Sequence, residues 1–218
     1  MKTLERKIVW VVILSMGFIG VIFYLSHVFI GGAMWRGYNH VRQAVSDLTA
    51  DGAPNADLLR NLAGIYAIAN TIFSIGLLFY LKDRVNKVTK AGLFSFVIME
   101  LCSGVGYRLF PLAEEGTTMN FQNTMHIVIT IIVVITTMAA MYLTALGMLR
   151  LEEYKKLGLL SLVSAIIITV SGISTGMVTA AGIPILGLVE RINIFTLLTW
   201  VTVFSINSMT TVFRYEKR

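Results

Sequence analysis

Glu100 sits inside the apolar run Ala91 to Phe110, and a carboxyl group at such a place is the chain's strongest hint of chemistry. An ionised side chain is costly inside a membrane, so intramembrane acids face a bundle interior or a wet cavity and default to function. Glu100, Gly104 and Arg108 recur at i, i+4 and i+8, which places them on one helical face with Tyr107 beside them. Two roles fit this pattern. Glu100 is either a proton- or cation-handling group or ligand contact in a cavity open to one side, or a helix lock, protonated or paired with Arg108 or Asn70.

The three histidines are the next candidates. His27 lies near the end of the first apolar run, His40 in the long connection after it, and His126 at the head of the fourth. With Asp47, Glu114 and Glu115 they have the donor types of a three-His or His/carboxylate metal site. The chain has no H-E-x-x-H and no H-x-x-H pair, so no metal or other cofactor is favoured, and His27 and His126 also read as headgroup-level hydrogen-bonding groups. Ser46 beside Asp47 permits a Ser–His–Asp reading, but the G-x-S-x-G elbow that would expose such a serine is absent. The one cysteine, Cys102, excludes an internal disulfide and a cysteine metal cluster, and reads as a small buried hydrophobe.

What must position these groups is a membrane bundle. At 218 residues, 56 % hydrophobic and 14 % charged, the chain is too apolar for a soluble domain of its size. A net charge of +6 raises the question of nucleic acid, but the basic residues form short patches beside apolar runs, as membrane anchors do. No nucleic-acid partner is expected. Six apolar runs stand out, about 8–30, 62–81, 91–110, 127–149, 157–178 and 192–213, each long enough to cross a hydrocarbon core of about 30 Å. The first is too long for a signal-peptide core and reads as a retained helix. In lipid each backbone polar group needs an internal partner, so the runs must be helices. The expected fold is a single all-α domain of six transmembrane helices arranged as three hairpins.

Charge sets the expected orientation. Thirteen of the eighteen Lys and Arg residues fall at the two termini and in the segments Lys82–Lys90 and Arg150–Lys156. Arg36, Arg42, Arg60, Arg108 and Arg191 lie toward the other side, together with all three prolines and histidines. The positive-inside rule then puts both termini in the cytoplasm, in the plasma membrane of a prokaryote. The first outer connection, Gly31 to Asn61, is long enough to be functional. A short interfacial helix over Tyr38–Leu48 is expected there, with Ala44 and Leu48 on one face, then a turn and an N-cap at Asn55 or Asp57. Thr49–Pro54 aligns with Thr179–Pro184, which reads either as an internal duplication or as chance similarity. Small residues form stripes at Ala63, Ala67, Asn70 and Ser74, and at Ser161, Ala165, Gly172 and Gly176. Such stripes let helices approach closely, within the bundle or across a homodimer through Gly172 and Gly176.

Three segments on the outer side carry a resemblance. His40 to Leu62 with its Ser46-Asp47-Leu48 core, Gly106 to Leu112 followed by His126, and Gly187 to Asn193 resemble the signatures of a six-helix prokaryotic membrane family catalogued as domain of unknown function 998. The resemblance implies an integral membrane protein and no settled activity. It makes Asp47, Arg108, His126, Glu190 and Arg191 the first positions to test.

The favoured expectation is a polar pocket at the outer leaflet that binds or modifies a lipid headgroup or small molecule. Arg108, Arg191 and Arg42 would hold an anionic headgroup, Ser46, Glu100 and Glu190 would line the site, and Asp47 with His126 would act as a general base pair. A proton-coupled transporter using Glu100, and a scaffold or helper subunit, are the alternatives. Membrane lipids are the expected partners.

Overall fold

The computed structural model describes residues 2–113 and 120–213, with side chains from residue 4 onward. Glu114, Glu115 and the C-terminal Arg214, Lys217 and Arg218 lie outside the described residues, as does the side chain of Lys2. Six α-helices follow in order: α1 Lys2–Met34, α2 Ala56–Leu81, α3 Lys87–Leu109, α4 Phe121–Met148, α5 Lys155–Ala181 and α6 Leu186–Val212. All six are long and apolar enough to cross a membrane. They overrun the apolar runs at most ends, because a helix keeps its internal hydrogen bonds beyond the hydrocarbon and charged residues tolerate its first and last turns. The 33 residues of α1 reach about 50 Å at 1.5 Å per residue.

Each helix packs mainly on its neighbours in sequence, and α6 returns onto α1, so the six close into a ring. The α3–α4 pair is the most intimate. A methyl group at Gly92 would come 2.6 Å from the Thr144 backbone nitrogen, and one at Gly147 would come 2.5 Å from that of Thr89. Only glycine allows two backbones that close. Neither glycine stood out in the sequence stripes, and of those stripes Gly176 meets nothing within 4 Å while Gly172 lies beside Asn193.

The two ends of the ring differ. At the short-turn end, Asn86 accepts from Thr89 N–H as the cap of α3 and donates to the Gly147 carbonyl at 2.7 Å, tying that turn to α4. Just inside, Phe73, Phe96, Trp200 and Phe204 are fully buried, and Phe96 of α3 meets Trp200 of α6 with ring centroids 5.0 Å apart. These rings fill the centre between opposite helices. The Trp200 indole also donates to Ser161 Oγ at 2.9 Å, which satisfies the polar atom that its burial strands.

At the long-loop end the three remaining connections meet. Asp51 N–H donates to the Leu112 carbonyl, and Leu188 N–H to that of Val41. The interfacial helix expected over 38–48 does not form; a single 3-10 turn, Ser46–Thr49, is all the helix the loop holds. Side chains have taken the backbone groups a helix would need. Asn39 Oδ1 accepts from Val41 and Arg42 N–H, Asp47 Oδ2 accepts from Ala44 N–H, and the carbonyls of His40, Gln43 and Ala44 accept from Arg191 and Tyr38. Ala44 and Leu48 are nonetheless both buried, as one shared face would require. Asn55 does stand before α2, in the left-handed region (φ 60°) and without a capping side-chain bond. Gly52 and Gly182 both take positive φ (80° and 63°), Gly52 in the turn before α2 and Gly182 as the cap that ends α5.

Candidate functional site

Two clasps hold the long-loop end shut. The first is built on α6, where Arg191 is buried and spreads its fork over the first loop. Its Nη1 donates to the carbonyls of His40 (2.6 Å), Gln43 (2.9 Å) and Gly187 (2.9 Å), and its Nη2 to Tyr38 Oη (2.8 Å). Tyr38 in turn donates to the Ala44 carbonyl at 2.5 Å. The neighbouring Glu190 accepts from Val45 N–H at 2.5 Å through Oε2. A planar guanidinium is suited to several oxygens at once, as a lysine is not. Burial raises the Tyr38 phenol above its usual range, with Arg191 opposing, and burial followed by the Arg191 charge lowers the His40 imidazole.

The second clasp centres on Asp51. Arg60 of α2 donates to its Oδ1 at 2.6 Å and to the Thr49 carbonyl at 2.9 Å. Gln122 of α4 donates to Asp51 Oδ2 at 2.7 Å and to the Pro111 carbonyl at 2.8 Å. The Gln122 amide and then Arg60 hold the Asp51 carboxyl below the usual carboxylate range. Asp51, Arg60 and Gln122 were missed as site residues in the sequence; only the turn around Asp51 marked the place.

Behind the clasps, the long-loop half of the ring has a polar interior. Glu100 is fully buried, and neither carboxyl oxygen has a hydrogen-bond partner among the described residues. Tyr66 of α2 is the polar group that meets it, close enough for a loose hydroxyl–carboxyl interaction. His27 is 3 % exposed, with the Tyr24 backbone within loose hydrogen-bonding reach of its ring. Tyr24 connects them: its ring meets Tyr66 edge-on at 4.7 Å and His27 at 5.2 Å. Tyr24 is also within electrostatic reach of Glu190 on α6 and of Tyr107 on α3. Tyr107 donates to Thr130 Oγ1 of α4 at 3.2 Å.

The residues singled out in the sequence thus divide. Glu190 and Arg191 come together with Asp47 and Ser46 in the first clasp, where Asp47 accepts from Ala44 N–H. Arg42 is exposed on the same loop. His126 belongs to the α3–α4 side, where its Nδ1 pairs with the Phe110 carbonyl at 2.9 Å and its ring lies 5.0 Å from that of Tyr107. Arg108 is exposed and passes over Gly64 of α2, 3.1 Å from where a methyl would stand there. Glu100 and His27 belong to the interior. Asn70 is buried beside Gly20 and donates weakly to its own helix at Tyr66 (3.4 Å), with its carbonyl oxygen unpartnered. Among the described residues no three His, Cys, Asp or Glu side chains come together as a metal would need.

Fold and site together define an all-helical protein with six helices fit to span a membrane, its first long loop tied to the helices at one end. The chain belongs to the family described as "Protein of unknown function (DUF998)", whose profile matches residues 18–207 and so takes in both clasps and the polar interior. No curated protein and no solved structure matches the chain.

Proposed function

We propose that this ring binds a small polar molecule or a lipid headgroup in its long-loop half, at the outer leaflet of a prokaryotic plasma membrane. The observation that carries the reading is the pair of deeply buried polar groups, His27 and Glu100, gathered about Tyr24 and Tyr66 with no close hydrogen-bond partner among the described residues. Proteins rarely bury polar atoms without partners, and a ligand group is one of the few things that repays it. The basic residues at the termini and short turns favour a cytoplasmic position for that end, which turns the long-loop end outward.

Binding fits better than catalysis, because the expected acid–base pair is split: Asp47 accepts from Ala44 N–H in the first clasp, while His126 pairs with the Phe110 carbonyl on the α3–α4 side. It also fits better than proton-coupled transport. A transporter needs a polar path to both faces, and Phe73, Phe96, Trp200 and Phe204 fill the other half. Native mass spectrometry of the purified protein is the test. Wild type is expected to carry a retained lipid or small adduct that the double variant His27→Phe, Glu100→Leu loses. A wild-type spectrum free of adducts from every membrane tried would refute the reading.

A further inference from the structure

Arg108 stands apart from the other arginines of the long-loop end. Arg60 is paired with Asp51, and Arg191 is taken up by the first loop. Arg36 and Arg42 are exposed on that loop. Arg108 lies instead in the last turn of a helix long and apolar enough to cross a membrane. It is exposed and has no hydrogen-bond or ion-pair partner among the described residues.

Its seat is the seam between α2 and α3. Nη1 rests over Gly64, 3.1 Å from where a methyl would stand, and one turn further into α3 a methyl at Gly104 would come 3.0 Å from that of Ala67. Small residues therefore floor this seam. Its flanks are apolar and exposed: Leu101 and Phe94 recur at seven-residue spacing below Arg108 on α3, hence on its face of the helix, and Ile68 stands one turn below Gly64 on α2.

Depth decides what the guanidinium meets. Lys87 opens α3, and Arg108 lies about 32 Å along the axis from it at 1.5 Å per residue, which matches a hydrocarbon core of about 30 Å. With Lys87 at one headgroup level, Arg108 is at the other, level with lipid phosphates and above a strip of exposed apolar side chains. Asp57, two turns above Gly64 on α2, does not pair with it. A planar guanidinium grips a phosphate through two N–H groups at once, and a charge at the edge of hydrocarbon is stabilised by such a counter-ion.

We propose that Arg108 binds the phosphate of a membrane phospholipid at the α2–α3 seam, with one acyl chain laid over Ile68, Leu101 and Phe94. The site is on the outside of the ring and stands or falls independently of the interior reading above.

The assay is thermal unfolding of the full chain in detergent with added dioleoyl phosphatidylglycerol. Dioleoylglycerol supplies the same chains without a phosphate, and glycerol 3-phosphate supplies the phosphate without chains. The phospholipid is expected to stabilise wild type and the other two are not. Arg108→Gln should weaken the apparent affinity about tenfold, as loss of one charge-assisted contact implies. Arg108 bonds to nothing described in the chain, so this variant should fold. Gly64→Leu keeps the arginine but fills its seat, and should weaken the response as well. Arg36→Gln, which removes an exposed arginine elsewhere, should leave it unchanged.

A response indifferent to Arg108→Gln and Gly64→Leu, or lost equally in Arg36→Gln, overturns the site. Equal stabilisation by dioleoylglycerol overturns the phosphate, and equal stabilisation by glycerol 3-phosphate overturns the lipid. A wild-type dimer that Arg108→Gln turns monomeric would put a second copy on the seam and also overturn it. The response should survive in His27→Phe, Glu100→Leu; its loss there, with Arg108→Gln behaving as wild type, would place the lipid in the interior instead.

Discussion

Replacing Arg191 by lysine tests whether the first loop is held by a guanidinium fork or only by a positive charge. Lysine keeps the charge and much of the stem, but its compact ammonium cannot reach the His40, Gln43 and Gly187 carbonyls and Tyr38 Oη together. If it keeps two of the four contacts, two charge-assisted bonds are lost, each worth about 1.5–3 kcal/mol. The loop carbonyls border water, and their rehydration offsets part of this, leaving a net loss of about 2–4 kcal/mol. Tyr38→Phe removes the bond from Arg191 and the bond to Ala44, for about 1–2 kcal/mol by the same scale. Because the two residues share a bond, the double variant should fall short of additivity by about 1 kcal/mol.

Hydrogen exchange in detergent reads the effect locally. Val45 N–H, bonded to Glu190, should lose protection as the loop opens, while amides in the middle of α3 and α4 stay as in wild type. Unchanged exchange at Val45 in Arg191→Lys, or strict additivity with Tyr38→Phe, would refute the clasp.

Gly147→Val should destabilise the protein by about 3 kcal/mol, because the new side chain meets the Thr89 backbone, which cannot step aside; an unchanged melting temperature would mean that α3 and α4 are not in contact there. Asp51 predicts an acid limb. Its folded-state value lies below the ordinary 3.8, so its stabilisation is present above that value and is lost as pH falls through the depressed one. The stability gap between wild type and Asp51→Asn should therefore be constant near neutrality and shrink below about pH 4. A gap that instead opens as pH falls would reverse the assignment.

How much was legible in the sequence depended on which force placed each residue. The six helices were legible because long apolar runs in lipid have one way to satisfy their backbones, although the helix ends were not, since polar flanks extend helices without any hydrophobic signal. Glu100 announced itself by being a charge in an apolar run. Asp51, Arg60 and Gln122 did not, because ordinary polar residues in connections look alike until the connections are brought together. The expected helix over 38–48 failed for a related reason: its pattern of Ala44 and Leu48 was real, but Arg191, remote in sequence, captured the carbonyls that a helix would have used.

The amino-acid sequence by itself determined six apolar helices and the family to which the chain belongs, since hydrophobic length acts locally along the chain. Only the tertiary structure decided that Glu190 and Arg191 bind the protein's own loop, and that Glu100 and His27 are gathered about Tyr24 and Tyr66 in the interior. Hydrogen bonds are short and directional, so whether a polar residue faces a partner or an open space depends on how α6 meets α1. That contact is made more than a hundred and fifty residues apart in the chain.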